Sequence, residues 1–342
     1  MTVSGTVMWY VHDQGRGHLQ RARAVIPTLD SPVIVACGPH VSPFAADVLT
    51  VPVVPLPCDV PPRPIATRGP FHHAPTSPEV RARAVALVDA IRTHRCTTAV
   101  VDVSMEVVVL ARLLGLRVIA LRQSGRRDDA AHRVGFDSAD VVWVPQCRSL
   151  EPIDVPVDRR WRFTGAFSRF DALPAPPPTR GEARRRRLVV LMVGRGGNGL
   201  DVARWMAAAA PSGWRVVVAG TAERASGRGV EIVGCVDPVF PLLADADVVV
   251  TSAGWSAVAD AVAARSRLVL VAEDRPFAEQ EVRARALAEA GLAISRAEWP
   301  TPEQLPGVLE EAGRLDLDRW TDHYDRRGSQ RAATMIDELH AS

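Results

Sequence analysis

The chain has 342 residues, of which 47% are hydrophobic and 23% charged, and its formal net charge is +2. This length and composition predict a globular protein with two domains. All 41 basic residues are arginines, which excludes a lysine nucleophile, a Schiff-base lysine and a phosphate-loop lysine. Because the charge is nearly balanced and lacks a long basic stripe, we expect no nucleic-acid partner.

The cysteines and the N-terminal segment bear on the cellular compartment. The five cysteines are scattered and never form a C-x-x-C pair, so the sequence predicts neither a disulfide framework nor a zinc site. No basic segment precedes a long apolar one, and no apolar stretch is long enough to span a bilayer. We therefore expect a cytoplasmic protein without a transmembrane segment, and a peripheral contact with the inner face of the membrane stays open.

In the first half, short β-branched runs alternate with helical stretches. The pattern predicts strands over 7–11, 33–37, 99–103, 118–121 and 141–144, with helices over 19–29, 78–93 and 105–114. This alternation predicts a doubly wound α/β domain, which binds ligands at the carboxyl ends of its strands. The Pro-rich segment 51–78 is either an acceptor-binding loop or a disordered surface excursion.

A Pro- and Arg-rich segment over 171–187 predicts a linker between two domains. A second α/β series follows, with strands over 188–193, 214–219, 230–233, 248–251 and 268–271 and helices over 200–210, 256–264 and 279–290. The predicted organisation is an N-terminal domain over 1–170, a C-terminal domain over 188–316 and a helical tail over 317–342. We expect this tail to pack back on the N-terminal domain, and two similar halves predict a cleft between them.

The first loop carries a candidate base. Gly15 and Gly17 allow a ligand to approach the backbone closely, and they place His18 at the start of a helix. An imidazole there is suited to accept a proton at neutral pH. Asp102 ends a strand of the same domain, where its carboxylate would orient that imidazole. The spacing leaves open that His18 is merely exposed and that Asp102 caps the following helix.

A glycine-rich loop follows the first strand of the second half. Gly194, Gly196 and Gly199 formally match G-x-G-x-x-G, which is typical of dinucleotide sites. The acidic residue expected at the end of the next strand is missing, because 216–219 leads into Gly220. The pattern therefore favours a phosphate loop for a different nucleotide over a site for NAD or FAD.

The turn over 251–256 has the small residues of a diphosphate site. Its backbone N–H groups lie at the positive end of the following helix. Asp260 lies one helical turn beyond Ser256, within reach of ribose hydroxyls. The neighbouring Glu279 and Gln280 offer an acceptor and an amide suited to sugar hydroxyls. Alternatively, Glu279 only complements the dipole of its own helix.

Two other patterns resemble metal sites. Asp245-Ala246-Asp247 is predicted to be an ordinary helix-end turn, and no other oxygen cluster supports a metal. Four other histidines lack ligand spacing and are predicted to be solvated or loop residues; they are His72, His73, His94 and His132. Of these, His132 could face an acceptor. We expect neither a metal nor a bound cofactor.

These motifs resemble those of a known enzyme family. The run Gly15-Arg16-Gly17-His18 with Arg21 resembles the first loop of GT-B glycosyltransferases such as the peptidoglycan N-acetylglucosaminyl transferase and the macrolide and flavonoid enzymes. The stretch 251–260 with Glu279-Gln280 resembles the C-terminal signature of UDP-glycosyltransferases. The resemblance implies two Rossmann-like domains facing each other across a cleft. It implies that His18, with Asp102, is the general base. It implies that Asp260 binds the ribose and that Glu279 and Gln280 bind the donor sugar. The residues that would bind the diphosphate are Ser252, Gly254, Trp255 and Ser256, with the loop of Gly194 and Gly196.

The implied reaction is an inverting, metal-independent transfer of a hexose. A UDP- or dTDP-sugar would be the co-substrate, a small-molecule or lipid-linked hydroxyl the acceptor, and His18 the base. Three departures leave the donor open, because Ser252 replaces a phosphate-binding His, Ser256 replaces Asn, and Asp260 replaces Glu. Nucleotide-sugar hydrolases and non-hydrolysing epimerases share this architecture, and a catalytically silent binding partner is a third alternative.

Overall fold

A computed structural model describes residues 5–13, 17–152, 157–176, 186–194 and 200–342. The chain forms two compact units. The first combines Met1–Cys147, Ile153–Gly165 and Arg327–Ser342, and the second combines Arg148–Pro152 with Ala166–Arg326. The predicted linker over 171–187 stays a prediction, since 177–185 lie outside the described residues.

The first unit is built on a parallel sheet, with seven strands in the part of the chain described. They are β1 (Thr6–Val11), β2 (Val33–Cys37), β3 (Val53–Pro55), β4 (Cys96–Asp102), β5 (Arg117–Leu121), β6 (Val141–Val144) and β7 (Trp161–Phe163). Their order is β3-β2-β1-β4-β5-β6-β7. The central strands are buried on both faces, as the continuous apolar runs predict.

The helices of this unit begin near the carboxyl ends of its strands. They are α1 (Gly17–Val25), α2 (Ser42–Val48), α3 (Pro78–Thr93), α4 (Met105–Leu113) and α5 (Ala130–Ser138). Ser77, Ser104 and Asp129 cap the last three of these, since each side chain accepts a hydrogen bond from the backbone N–H three residues on. The strand order reverses between β1 and β4, so ligands are expected at the carboxyl ends of these two strands.

The second unit has a similar sheet. Its described strands are β8 (Arg187–Met192), β9 (Trp214–Ala219), β10 (Ala225–Gly227), β11 (Val230–Gly234), β12 (Val248–Ser252), β13 (Arg267–Val271) and β14 (Ala293–Arg296). The order is β10-β11-β9-β8-β12-β13-β14, and β10 is antiparallel to its neighbour. The helices are α6 (Val202–Ala207), α7 (Phe240–Asp245), α8 (Trp255–Ala263), α9 (Glu279–Glu289) and α10 (Leu305–Gly313). These two sheets confirm the predicted α/β class with two doubly wound units.

The chain ends in α11 (Gly328–Ala341), which belongs to the first unit and packs against α1 and β4. The tail predicted to be helical over 317–342 is not one helix throughout, because a separate 3₁₀ helix, Leu317–Asp322, precedes α11. The helix predicted over 19–29 ends early, at Val25, and continues as a 3₁₀ turn that contains Pro27. No helix within the described ranges is both long and apolar enough to cross a bilayer.

Candidate active site

The first unit brings His18 and Asp102 together. His18 lies in the first turn of α1, and its Nδ1 is 2.9 Å from Oδ1 of Asp102, the last residue of β4. Both side chains are buried, and Asp102 is 0% exposed. Since β1 and β4 are adjacent parallel strands, the elements that follow them meet at one edge of the sheet. The predicted pair therefore has hydrogen-bonding geometry, and its catalytic role stays a prediction.

Arg21 completes this arrangement. It lies one turn after His18 on α1 and is 1% exposed. Its Nε donates to Asp102 Oδ2 at 2.9 Å, and its Nη2 donates to Oδ1 at 2.8 Å. Burial would raise the pKa of Asp102, but the charge of Arg21, followed by that of His18, holds the pKa well below its usual range. Asp102 is therefore a stable anion, although it is fully buried.

A second imidazole, which sequence reasoning missed, lies beside His18. The ring of His12 follows β1, and its centroid is 5.5 Å from that of His18. Burial, with a smaller contribution from His18, lowers the pKa of His12 to about 4. His12 is therefore neutral at pH 7. The signal available in the sequence was its position directly after the first buried strand.

Strained backbone lies directly beside predicted site residues in both units. Val103, directly after Asp102, has a φ of 68°, which β-branched residues rarely adopt. In the second unit Phe277 and Ala278, directly before Glu279, have φ values of 64° and 53°. Such conformations cost about 1–3 kcal/mol each and cluster at active sites and ligand clamps.

The structure corrects the prediction that His132, on α5, is a solvated or loop residue. His132 is 2% exposed and is not a solvated residue. Its Nδ1 is 2.5 Å from Asp129 Oδ2, and His72 Nε2 is 2.9 Å from Asp129 Oδ1. Segment 51–78 folds onto this region because Glu106 accepts the backbone N–H groups of His72 and His73. Ligand spacing was absent from the sequence because the cluster joins distant segments.

These three side chains, His72, Asp129 and His132, have the atom types and proximity of a metal site, with ligand atoms within 4.8 Å of one another. Arg127 Nη1, however, lies 3.2 Å from His132 Nε2. An arginine only donates, so Nε2 accepts and the proton of the neutral ring is on Nδ1, where Asp129 accepts it. In this tautomer Nδ1 has no lone pair for a metal. The predicted absence of a metal stays a prediction.

In the second unit several predicted donor-binding residues converge. The turn between β12 and α8 contains Ser252 and Gly254. A methyl group on Gly194 would lie 3.5 Å from Ser252 Oγ, and one on Gly254 would lie 3.7 Å from Ser252 Oγ and 3.9 Å from Gln280 Nε2. The first turn of α8, whose backbone N–H groups point toward the amino end of the helix, begins beside these small residues. Gly196, like Gly15 of the first unit, lies outside the described residues.

Trp255 and Asp260, both on α8, pack against the segment 167–169. The rings of Trp255 and Phe167 make an edge contact with centroids 4.8 Å apart. Asp260 is 5% exposed, accepts a hydrogen bond from Ser168 Oγ at 2.6 Å and pairs with Arg169 at 3.3 Å. Burial raises the pKa of Asp260 to about 6 against the opposing charge of Arg169. Sequence reasoning missed Arg169.

Glu279 and Gln280 begin α9, and both are held in place. Gln280 Oε1 accepts the backbone N–H of Glu273 at 3.1 Å. Arg283, one turn later and buried, donates from Nη1 to Ala253 O at 2.8 Å and to Glu279 Oε1 at 3.2 Å. Arg283 therefore ties Glu279 to the turn that precedes α8.

Comparison with known proteins identifies the fold. No family model and no curated protein sequence matches the chain. Solved structures do match, and the kitacinnamycin glycotransferase has 18% sequence identity and a TM-score of 0.70 over 98% of this chain and 99% of that one. The calicheamicin glycosyltransferase CalG4 has 18% identity and a TM-score of 0.67 over 98% of each chain. MurG of Acinetobacter baumannii has 15% identity and a TM-score of 0.68 over 98% of this chain and 99% of that one. At these identities the similarity shows the fold, and the chain has the predicted GT-B fold of glycosyltransferases.

Proposed function

We propose that this protein is a glycosyltransferase that moves a sugar from a nucleoside-diphosphate sugar to an acceptor hydroxyl. The observation that carries the proposal is the buried His18–Asp102 contact at the carboxyl ends of β1 and β4. The N-terminal turn of α8, with Ser252, Gly254 and Gln280 around it, supports a diphosphate-sugar site. Among proteins of similar fold, the spinosyn rhamnosyltransferase SpnG has been solved with thymidine diphosphate and with the spinosyn aglycone.

In the proposed reaction His18 acts as the general base. With Nδ1–H donated to Asp102, Nε2 accepts the proton of the acceptor hydroxyl as its oxygen attacks the anomeric carbon. The bond from that carbon to the diphosphate breaks, the configuration inverts, and the nucleoside diphosphate leaves. Backbone N–H groups at the start of α8 stabilise the negative charge of the leaving group. The proposal includes no metal step.

The donor is proposed to be a UDP- or dTDP-sugar. Glu279 and Gln280 would bind its sugar hydroxyls and Asp260 its ribose. Because a carboxylate accepts more than two hydrogen bonds, Asp260 keeps acceptor capacity beside Ser168 and Arg169. The acceptor is a small-molecule or lipid-linked hydroxyl.

The test is product analysis by mass spectrometry. The protein is incubated with UDP-, dTDP- and GDP-sugars, with and without a panel of small-molecule and lipid-linked acceptors. We expect glycoside formation, and loss of a general base in His18→Ala should lower kcat/KM by roughly 10²–10⁴-fold. His40→Ala is the matched control, because this imidazole is exposed and also pairs with a carboxylate, that of Asp13. Fast donor hydrolysis without glycoside would indicate a hydrolase, and donor binding without turnover would indicate a silent partner.

A further inference from the structure

The Nδ1 atom of His18 faces two groups with opposite requirements. Asp102 Oδ1 is 2.9 Å away, and Arg21 Nη2 is 2.7 Å away. A carboxylate only accepts hydrogen bonds and a guanidinium only donates them, while Nδ1 does one or the other. The position of the ring proton therefore depends on which of the two groups holds Nδ1.

The two arrangements differ in chemistry. When Nδ1–H donates to Asp102, Nε2 has a lone pair and can take a proton. When Nδ1 accepts from Arg21, the proton of the neutral ring is on Nε2, and that atom cannot act as a base. In the first arrangement Arg21 directs its Nε–H and one N–H of Nη2 to the carboxylate, as the distances of 2.9 and 2.8 Å allow.

We propose that Arg21 is a positioning residue for His18, whose charge, held on both oxygens of Asp102, keeps the imidazole neutral with its lone pair on Nε2. The inference rests on the proposed function in taking His18 as the base. Because Arg21 is 1% exposed, the role assigned to it is to act on the reaction through Asp102 and His18.

Charge balance in a buried site supports the proposal. Asp102 and Arg21 are 0% and 1% exposed, and a buried carboxylate requires a compensating cation. Arg21 supplies that cation, so His18 need not be charged. Without Arg21, His18 is the partner of Asp102 that remains to carry a positive charge. The pair would then bind a proton, and His18 would become an imidazolium with no lone pair.

Groups from several elements act on this pair. Arg21 comes from α1, Asp102 from the end of β4 and His12 from the end of β1. His12 is neutral because its pKa is lowered to about 4, so it does not supply the cation. Arg83 on α3 and Asp59 in segment 51–78 act on His12 from farther away, with opposite signs.

The test compares Arg21→Met with Arg21→Lys in the full chain. In Arg21→Met, kcat/KM at pH 7 should fall about 100-fold, within the range for a general base, and recover as the pH rises to about 9, while the donor KM stays within about twofold. Arg21→Lys keeps the charge and should stay within about tenfold of wild type. Arg23→Met, on the same helix and half-buried, is the control and should be unchanged.

A second readout needs no turnover. The ¹⁵N chemical shifts of the His18 ring should show a neutral imidazole with the proton on Nδ1 in wild type at pH 7 and an imidazolium in Arg21→Met. The double variant Arg21→Met/Asp102→Asn should show a neutral ring again, because the buried anion is gone. A neutral ring in Arg21→Met, or an equal loss of rate at every pH, would overturn the proposal.

The two readouts separate the possible failures. If wild type transfers no sugar but the ring shifts behave as expected, the proposed function fails and the role of Arg21 stands. If Arg21→Met does not fold, Arg21→Lys decides, since an imidazolium in that charged variant at pH 7 would contradict the proposal.

Discussion

Replacing Asp102 by Asn tests the base and its partners most directly. Asp102 accepts three hydrogen bonds, from His18 Nδ1 and Arg21 Nη2 at Oδ1 and from Arg21 Nε at Oδ2. An amide of the same shape has one acceptor atom and one donor group. In either orientation its NH₂ faces an N–H of Arg21, so no rotamer restores all three bonds.

The expected loss follows from these contacts. If the amide oxygen accepts the hydrogen bond from Arg21 Nε, the amide NH₂ faces Nδ1 of His18. Nδ1 then has only donors around it and must accept. The proton of the neutral ring is therefore on Nε2, and the base is lost. We therefore expect kcat/KM to fall about 10³-fold, roughly 4 kcal/mol of transition-state stabilisation. Arg21 also loses its counter-charge in a buried site, which should lower the unfolding free energy by about 3–5 kcal/mol.

The assay combines initial rates with urea unfolding, so the two effects are measured separately. Asp140→Asn is the matched control, because Asp140, like Asp102, pairs with an arginine, Arg112, and accepts a second hydrogen bond, from the backbone N–H of Val118. That pair is partly exposed at the amino end of β5, so it should cost at most about 1 kcal/mol and leave the rate unchanged. If Asp102→Asn keeps a rate within about threefold of wild type, the His18–Asp102 pair is not the base.

Three further predictions concern the second unit and the metal. The pKa of Asp260 rises from 3.8 to about 6 on folding, so the folded state binds the extra proton between these pH values and the unfolding free energy falls as the pH rises through this window. Relative to Asp260→Asn, wild type should lose about 2 kcal/mol between pH 4 and 7, and a constant difference in urea unfolding would contradict this. Arg283→Met should raise the calorimetric Kd of the donor about tenfold through loss of its bonds to Ala253 and Glu279, whereas unchanged binding would show that Arg283 only supports the core. Excess EDTA should leave kcat unchanged, and a loss restored by Mg²⁺ or Mn²⁺ would contradict the metal-independent reaction.

The long elements were predictable because their signals are local. The helix over 78–93 was placed correctly, since Ser77 caps it and Pro78 occupies its first position. The central strands were found because both faces of a parallel sheet are buried and their apolar runs are continuous. Strands β3, β7, β10 and β14 were missed, because three or four residues are too few to show a periodicity and their pairing comes from neighbouring strands.

The side-chain partners were less predictable. His18 and Asp102 could be placed at one edge of the sheet, since both follow parallel strands. Arg169 and Arg283 could not be singled out, because all 41 basic residues are arginines and no local pattern distinguishes a buried one from a solvated one. Arg21 was named as part of the first-loop resemblance, but its bonds to Asp102 were not predicted. His132 was predicted to be a solvated or loop residue because it lacks ligand spacing in the sequence, whereas the structure buries it, with His72 of segment 51–78 beside it.

The carboxylates assigned to chemistry share one feature that governs how they should be tested. Each is paired with an arginine of its own unit: Asp102 with Arg21, Asp260 with Arg169, and Glu279 with Arg283. Since a guanidinium remains charged at any working pH, removing the carboxylate alone leaves a buried cation, and the measured loss includes that penalty.

Double-mutant cycles separate the two contributions. For Glu279→Gln and Arg283→Met, we expect the double variant to lose about 1–2 kcal/mol less stability than the sum of the single variants, because the residues are in contact. The effects on donor affinity should not cancel, because Arg283 holds Glu279 and the double variant lacks both the group that binds sugar and the group that places it. Full recovery of donor affinity in the double variant would show that Glu279 serves only as the counter-ion of Arg283.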